Sequence, residues 1–174
     1  MYQAVLRPSC KTNCLYYLST TDKMAFMAEK LTDYKYKTDI AIRFSDIDAR
    51  GHVNNAVYLT YFEVARFNYW RDVSKWDLKD VGIVVGRSEI HYLKPVTIDD
   101  TLVCYVRVTR IGNSSFDIMH VLVKPTEKGD EICTTCKTVC ISYDYLANKS
   151  IPIPKDGRKN MIDFDEPRLI LNTN

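Results

Sequence analysis

The residues best suited to chemistry lie in one short polar loop followed by a long apolar segment. Asp48 stands three residues before Gly51, which permits a tight turn, and Asn55 lies where the apolar segment begins. The Asp48 carboxylate can activate a water molecule as a general base, or attack a carbonyl carbon itself. Free N–H groups at a helix start can hold the oxyanion that forms. The same spacing also fits a structural alternative, in which Asp48 only caps the loop or the helix.

Two further polar residues, His52 and Glu63, each have a functional and a structural interpretation. His52 can orient the attacking water or contact the substrate, or it can be a hydrogen-bonded scaffold residue. Glu63 lies in the middle of the apolar segment, where burial of a lone carboxylate is costly. An ion pair with Arg66, three residues later, is the structural explanation, and a catalytic carboxylate in the pocket is the functional one.

The elements that must position these residues are a strand, the loop and a helix. Apolar and polar residues alternate over Tyr36–Phe44, which predicts a half-buried strand. A helix is expected over residues 56–72, with Asn54 or Asn55 as its N-cap. This helix has almost no polar face, so we expect the rest of the fold to wrap it on all sides.

Four downstream segments have the alternation of strands and are separated by short turns: residues 83–93, 101–111, 116–124 and 132–145. They predict an antiparallel meander, which the first strand can join. The expected fold is therefore α+β, a five-stranded curved antiparallel sheet around one long apolar helix. The chain divides into an irregular leader (1–35), this domain (36–146) and a C-terminal tail (147–174). Prolines should keep the tail out of the sheet, and a short helix is expected over residues 161–170.

Composition excludes several functional classes. The 174 residues have a formal net charge of +2, which gives no bulk attraction to nucleic acid or to a membrane. No apolar run is long enough to span a bilayer, and no continuous secretory signal is present, so we expect a cytoplasmic protein. Cys133 and Cys136, three apart in a strand, face opposite sides unless a bulge intervenes. We interpret the cysteines as small buried side chains, and we expect no metal and no cofactor.

The segment Arg43–Arg66 resembles the signature of the hot-dog-fold acyl-CoA thioesterases, and more narrowly that of the 4-hydroxybenzoyl-CoA thioesterase family. Three shorter segments support the resemblance, which covers about residues 36–162: Glu89–Val96, Arg110–Ser115 and Ile151–Pro154. It implies the wrapped-helix fold derived above and hydrolysis of an acyl-CoA thioester.

The resemblance also implies a role for each polar residue of the loop. Asp48 corresponds to the catalytic aspartate, and the backbone N–H of Asn55 to the group that polarises the thioester carbonyl. His52 and Asn54 belong to a His-Val-Asn-Asn variant that is also seen in plant acyl-ACP thioesterases. Arg50 stands where those enzymes have a catalytic asparagine, which favours the simpler aspartate type. Glu63 is then a supporting residue.

Hot-dog thioesterases form homodimers or dimers of dimers, so the resemblance implies that a partner chain completes each site. The phosphates of CoA would require polar and cationic residues at the rim, and the candidates are Arg87, Lys94, Arg110, Ser114 and Ser115. Four aromatic residues either line the acyl pocket or belong to the core: Tyr58, Tyr61, Phe62 and Tyr92. Three alternatives stay open: an acyl-ACP thioesterase, an acyl dehydratase with His52 as base, and a non-catalytic acyl-CoA binder.

Overall fold

The computed structural model describes residues 30–77 and 81–169. Most of the predicted leader, with Cys10 and Cys14, lies outside these ranges. Five long strands form one antiparallel sheet: β1 (Tyr36–Ile40), β2 (Gly82–Tyr92), β3 (Leu102–Ile111), β4 (Ser115–Thr126) and β5 (Gly129–Asp144). The predicted α+β fold, a curved antiparallel sheet with one long helix, is confirmed.

The order of the strands differs from the predicted meander in one connection. Strands β3, β4 and β5 are consecutive neighbours, but β2 pairs with β5, and β1 pairs with β3. The order across the sheet is therefore β1-β3-β4-β5-β2. Because β2 pairs with β5 along one side only, its other side is an open edge within the described part of the chain.

Helix α1 (Val57–Tyr69) packs on the sheet and continues into a π-helical turn, Trp70–Ser74. Five side chains of α1 are buried against the strands: Tyr58, Tyr61, Phe62, Ala65 and Tyr69. The expectation that the fold wraps α1 on all sides is wrong for the single chain, because the sheet covers only one face. Apolar side chains on the other face are about half exposed: Leu59, Val64 and Phe67. Such a stripe is typical of a surface that binds a partner or a ligand.

The first strand and the helix N-terminus both differ from prediction in their bounds. Strand β1 ends at Ile40, and Phe44 begins a 3-10 turn with its side chain 87% exposed. The cause is Asp46, whose carboxylate accepts the Arg43 N–H at 2.9 Å and draws the chain into the turn. Helix α1 begins at Val57, one residue later than expected, although the side chain of Asn54 accepts the Ala56 N–H at 3.0 Å as an N-cap does.

The C-terminal tail contributes to the sheet, contrary to the prediction. Strand β6 (Lys149–Ser150) pairs with β5, and β7 (Arg168–Leu169) pairs in parallel with β3. Between them, helix α2 covers Lys155–Asp165, so it begins earlier than expected. The buried carboxylate of Asp165 accepts hydrogen bonds from the Tyr69 hydroxyl at 2.6 Å and the Val108 N–H at 2.8 Å, which fixes α2 against the core.

All four described cysteines are free and buried, as predicted: Cys104, Cys133, Cys136 and Cys140. A bulge opposite Leu122 and Val123 accommodates the extra residue Cys133, so Cys133 and Cys136 both join the core that packs on α1. Across residues 30–77 and 81–169, no group of three or more His, Cys, Asp or Glu side chains is placed to hold a metal ion. Neither helix within those ranges has the length and apolar character needed to cross a bilayer.

Candidate active site

Asp48 lies in a closed loop that connects β1 to α1. Its N–H donates to the His52 carbonyl at 2.7 Å, and its carbonyl accepts the Gly51 N–H at 3.0 Å. Ile47 and Val53 form an antiparallel bridge across the base of the loop. Gly51 has a φ of +84°, a left-handed conformation that glycine adopts without steric cost. The loop therefore returns the chain to α1 within a few residues of Asp48.

The Asp48 carboxylate is held in place by the backbone of its own loop. Oδ1 accepts the N–H of Arg50 at 2.8 Å and that of His52 at 3.2 Å. These two hydrogen bonds lower the pKa of Asp48 from its ordinary value, because they stabilise the charged form. Asp48 is therefore an ionised, oriented carboxylate in a partly exposed loop, and this arrangement suits a nucleophile or a general base.

Among the backbone N–H groups from Val53 to Val57, where the chain enters α1, one has no acceptor in the described part of the chain. Four of the five N–H groups from Val53 to Val57 donate hydrogen bonds within the chain: Val53 to Val96 O at 2.8 Å, Asn54 to Asp46 O at 2.8 Å, Ala56 to Asn54 Oδ1 at 3.0 Å, and Val57 to Asn54 O at 3.0 Å. The remaining one, Asn55 N–H, finds no acceptor within the described ranges. A free N–H at a helix start is a ready donor to an anion or a polarised carbonyl.

Asp46, which the sequence reasoning missed, is the buried acid of the loop. Its carboxylate accepts the Tyr61 hydroxyl at 2.7 Å and the Arg43 Nε at 3.3 Å, in addition to the Arg43 N–H. Burial acts to raise the pKa of Asp46, but these hydrogen bonds outweigh it and the pKa is lowered. The signal in the sequence is the spacing of Arg43 and Asp46, three residues apart at a strand end.

Tyr92 connects the end of β2 to the same helix start. Its hydroxyl donates to the Asn55 carbonyl at 2.9 Å, and its ring meets the Tyr58 ring edge-on with centroids 5.3 Å apart. Tyr61 and Phe62 are almost fully buried, so the core interpretation fits both. Tyr92 is 41% exposed and therefore lies at the surface of the site.

The other loop and helix candidates have structural partners or face solvent. The side chain of Asn54 accepts the Ala56 N–H, so it braces the helix start. His52 is exposed. Glu63 is also exposed and pairs with Arg66 at 3.9 Å, the i,i+3 ion pair given above as its structural explanation. Of these residues, only His52 and Asn54 lie in the loop beside Asp48.

Each cation proposed for the phosphates of CoA has an acidic partner within its own chain. Arg87 pairs with Glu89, and Lys94 with Glu131. Arg110 pairs with Asp117 at 2.8 Å. A phosphate would therefore have to compete with these carboxylates, which makes the three side chains weaker candidates than their charge alone indicates.

Two groups of predicted site residues lie at opposite ends of the sheet. Ile40 at the end of β1 pairs with Leu102, so the Asp48 loop lies at the start of β3. The turn that carries Ser114 and Ser115 follows the other end of β3, after Ile111. Nine strand steps of about 3.3 Å separate the two ends by roughly 30 Å. Within one chain, the structure does not bring Ser114, Ser115 and Arg110 to Asp48.

A cavity of about 250 Å³ lies beside the second half of α1. Phe67 of α1 and Trp70 of the π-helical turn form one wall, and the start of β2 with Tyr145 forms the other. The Tyr145 hydroxyl donates to the Ile83 carbonyl at 3.1 Å and holds the ring over Gly82. This cavity is also distant from Asn55 of the same chain, because Asn55 precedes the first turn of α1.

Two curated proteins and a solved structure are similar to the chain over most of their lengths. The long-chain acyl-CoA thioesterase FadM of Escherichia coli is 26% identical over 129 residues, 72% of this chain and 96% of FadM. YsmA of Bacillus subtilis is 26% identical over 132 residues, 75% of this chain and 88% of YsmA. A Thermus thermophilus thioesterase solved with coenzyme A and Zn is 29% identical, with a TM-score of 0.67 and coverage of 79% of this chain and 98% of the other.

A family model described as the Thioesterase-like superfamily matches residues 42–161, which is more than half of the chain. The matched segment contains the Asp48 loop, helix α1 and strands β2 to β6. The chain belongs to the Thioesterase-like superfamily and is a thioester hydrolase.

Proposed function

We propose that the chain hydrolyses an acyl-CoA thioester to a free acid and CoA. Asp48 acts as general base or nucleophile, and the Asn55 N–H polarises the thioester carbonyl. The observation that carries the proposal is the uncommitted Asn55 N–H in the same small loop as an oriented carboxylate. We also assign the chain to the 4-hydroxybenzoyl-CoA thioesterase type within the superfamily, because its loop has the aspartate of that type.

Either route balances with the residues of the loop and water. In the general-base route, Asp48 takes a proton from water, whose oxygen attacks the carbonyl carbon and expels the CoA thiolate. In the nucleophilic route, the Asp48 carboxylate attacks the carbonyl carbon and expels the CoA thiolate, which forms a mixed anhydride. Water then hydrolyses the anhydride to the free acid and the regenerated Asp48 carboxylate, and the proton that is released goes to the thiolate. In both, the Asn55 N–H donates to the developing oxyanion. The lowered pKa of Asp48 weakens it as a base but keeps it ionised as a nucleophile.

CoA is the proposed carrier of the acyl group. FadM is named for long-chain acyl-CoA, and the Thermus thermophilus thioesterase was solved with coenzyme A. The position that an acyl-ACP thioesterase fills with a catalytic asparagine holds Arg50, whose side chain is exposed. A CoA substrate also fits the cytoplasmic location expected from the sequence.

We propose that two copies complete each site by pairing through β2. An open eleven-residue edge strand is a template for another strand. Antiparallel pairing of β2 with its copy would place the Asn55 end of one chain beside the Gly82 end of the other. Ser114, Ser115 and Arg110 of the second chain would then lie on the same side as Asp48 of the first. The exposed apolar stripe of α1 lies beside this edge and would be covered, in a dimer or in a dimer of dimers.

The test is thiol release from a panel of acyl-CoAs by wild type and Asp48→Asn. The asparagine Oδ1 can still accept the N–H groups of Arg50 and His52, so the loop keeps its shape. We expect kcat to fall by about 1000-fold or more, as expected when a nucleophile or base is lost. Asp39→Asn is the matched control, because Asp39 is an exposed carboxylate on β1.

Four outcomes would contradict the proposal. Full thiol release by Asp48→Asn would remove Asp48 from catalysis. Hydration of a crotonyl-type substrate without thiol release would identify an acyl dehydratase, although His52 is exposed and offers little support for that reaction. Binding of acyl-CoA without turnover of any substrate in the panel would identify a non-catalytic binder. Release from acyl-ACP but not from acyl-CoA would overturn the choice of carrier.

A further inference from the structure

The peptide group that joins Asn55 to Ala56 is held from both sides. Its N–H, on Ala56, donates to Asn54 Oδ1 at 3.0 Å. Its carbonyl, on Asn55, accepts the Tyr92 hydroxyl at 2.9 Å. The preceding peptide is fixed at its carbonyl, because Asn54 O accepts the Val57 N–H at 3.0 Å. The only free polar group of these two peptides is the Asn55 N–H, and its direction follows from the three hydrogen bonds around it.

Tyr92 is the one member of this arrangement that comes from a distant part of the sequence. Asn54 and Val57 belong to the helix start itself, whereas Tyr92 is the last residue of β2. Its ring also contacts Tyr58 in the first turn of α1, with an interplanar angle of 81°. Burial raises the pKa of Tyr92, which keeps the hydroxyl protonated and able to donate. Tyr92 therefore fixes the turn to the sheet through a hydrogen bond and a ring contact.

We infer that Tyr92 is a positioning residue that sets the direction of the Asn55 N–H for the thioester carbonyl. This inference rests on the proposed function. A donor stabilises an oxyanion only when it points at the place where the charge develops. Without the Tyr92 hydroxyl, the Asn55–Ala56 peptide is held only by the bond from the Ala56 N–H to Asn54 Oδ1. The Asn55 carbonyl can then rotate toward solvent, and this rotation changes the direction of the adjoining Asn55 N–H.

The test is Tyr92→Phe, which removes the hydroxyl and keeps the ring contact with Tyr58. The matched control is Tyr105→Phe. Tyr105 also donates one hydrogen bond from an exposed site, to Asp130 at 3.0 Å, but its ring packs with Tyr34 on the opposite face of the sheet. We expect Tyr92→Phe to lower kcat about tenfold with KM nearly unchanged, less than the 100-fold or more for complete loss of an oxyanion donor. Tyr105→Phe should leave kcat at the wild-type value.

Amide hydrogen exchange, measured by NMR, tests the same inference independently of catalytic activity. In Tyr92→Phe, the exchange of the Ala56 and Val57 N–H groups should accelerate about fivefold or more, since local openings expose them. Unchanged exchange rates at both residues would overturn the inference. An increase in KM with no change in kcat would also overturn it. If exchange accelerates but the wild type releases no thiol from any acyl-CoA, the proposed function fails and Tyr92 still positions the turn.

Discussion

The hydroxyl of Tyr61 donates a hydrogen bond to Oδ2 of Asp46 at 2.7 Å, and both side chains are buried. The bond joins the second turn of α1 to the 3-10 turn that precedes the Asp48 loop. Asp46 O also accepts the Asn54 N–H, so the two ends of the loop meet at this one residue. The geometry of the candidate site therefore depends on an acid that takes no part in the proposed chemistry.

Tyr61→Phe should destabilise the protein by about 1–3 kcal/mol, because the buried carboxylate of Asp46 loses a donor without gaining a solvent partner. Urea unfolding at neutral pH measures this change. Tyr143→Phe is the comparison, since Tyr143 donates to Asn148 at the same distance of 2.7 Å in an exposed turn. We expect Tyr143→Phe to lower the free energy of unfolding much less than Tyr61→Phe does. An equal loss in both variants would mean that burial of the Tyr61–Asp46 pair does not contribute to stability.

The stability of the protein should fall with acid through His120. Burial and the nearby Arg66 lower the pKa of His120 to about 3, so it is neutral in the folded protein. The unfolded chain binds this proton below its ordinary pKa of about 6.5. Between the two values the unfolded state holds more protons, so the free energy of unfolding decreases as the pH falls, by at most about 1.4 kcal/mol per pH unit.

His120→Gln should remove this part of the pH dependence, because glutamine does not titrate. Urea unfolding of both proteins between about pH 7 and pH 5 gives the two slopes. The variant should be less stable than wild type near neutral pH, since a core side chain has changed. Its stability should nevertheless decline less steeply with acid. Equal slopes would show that His120 is not buried in its neutral form.

Substitutions at Asn55 should separate the contribution of its side chain to catalysis from that of its backbone N–H. Asn55→Ala keeps the N–H, so we expect kcat within about threefold of wild type. Asn55→Pro removes the N–H, and we expect a loss of about 100-fold or more. Thiol release with a fixed acyl-CoA measures both, and circular dichroism verifies that α1 is retained. A large loss in Asn55→Ala would assign the polarising group to the side-chain amide.

Gly157→Ala should destabilise the protein although alanine is the better helix former. A Cβ at Gly157 in α2 would lie 2.8 Å from Cβ of the buried Trp76 and 3.3 Å from Ser74 Oγ. The expected loss is about 1–3 kcal/mol, as for overpacking elsewhere in a core. Gly82→Ala is the contrast, because its neighbour is the exposed ring of Tyr145, which can move away. Thermal unfolding of the two variants compares them, and a stabilised Gly157→Ala would contradict the packing.

The alternation of apolar residues predicted the four downstream strands within about three residues at each end. Each of these patterns is local, because side chains along a strand that covers a core alternate between the apolar and the polar face every two residues. The pairing of β2 with β5 was not predicted, since it joins segments some fifty residues apart through hydrogen bonds that have no sequence signature. The open edge of β2 depends on that pairing, so it could not be predicted from the sequence either.

The candidate site was predicted in part for the same reason. Asp48 and Asn55 stand in one short segment, where spacing and resemblance identify them. Asp46 has one local signal, its spacing from Arg43, but its burial beside Tyr61 depends on the folded chain. Tyr92 lies 37 residues from Asn55, so its hydrogen bond to that carbonyl depends on the folded sheet. The apolar stripe of α1 was mistaken for buried surface because periodicity reports hydrophobicity and not which neighbour covers it.

The separation of the Asp48 loop from the Ser114 turn along β3 has a genetic consequence. If each site uses the loop of one chain and the turn of the other, a defect in the loop and a defect in the turn belong to different halves of a site. In a mixed dimer of two such mutant chains, one site receives both defects and the other receives neither. Two inactive proteins would then restore activity when they exchange subunits, whereas two loop mutants could not.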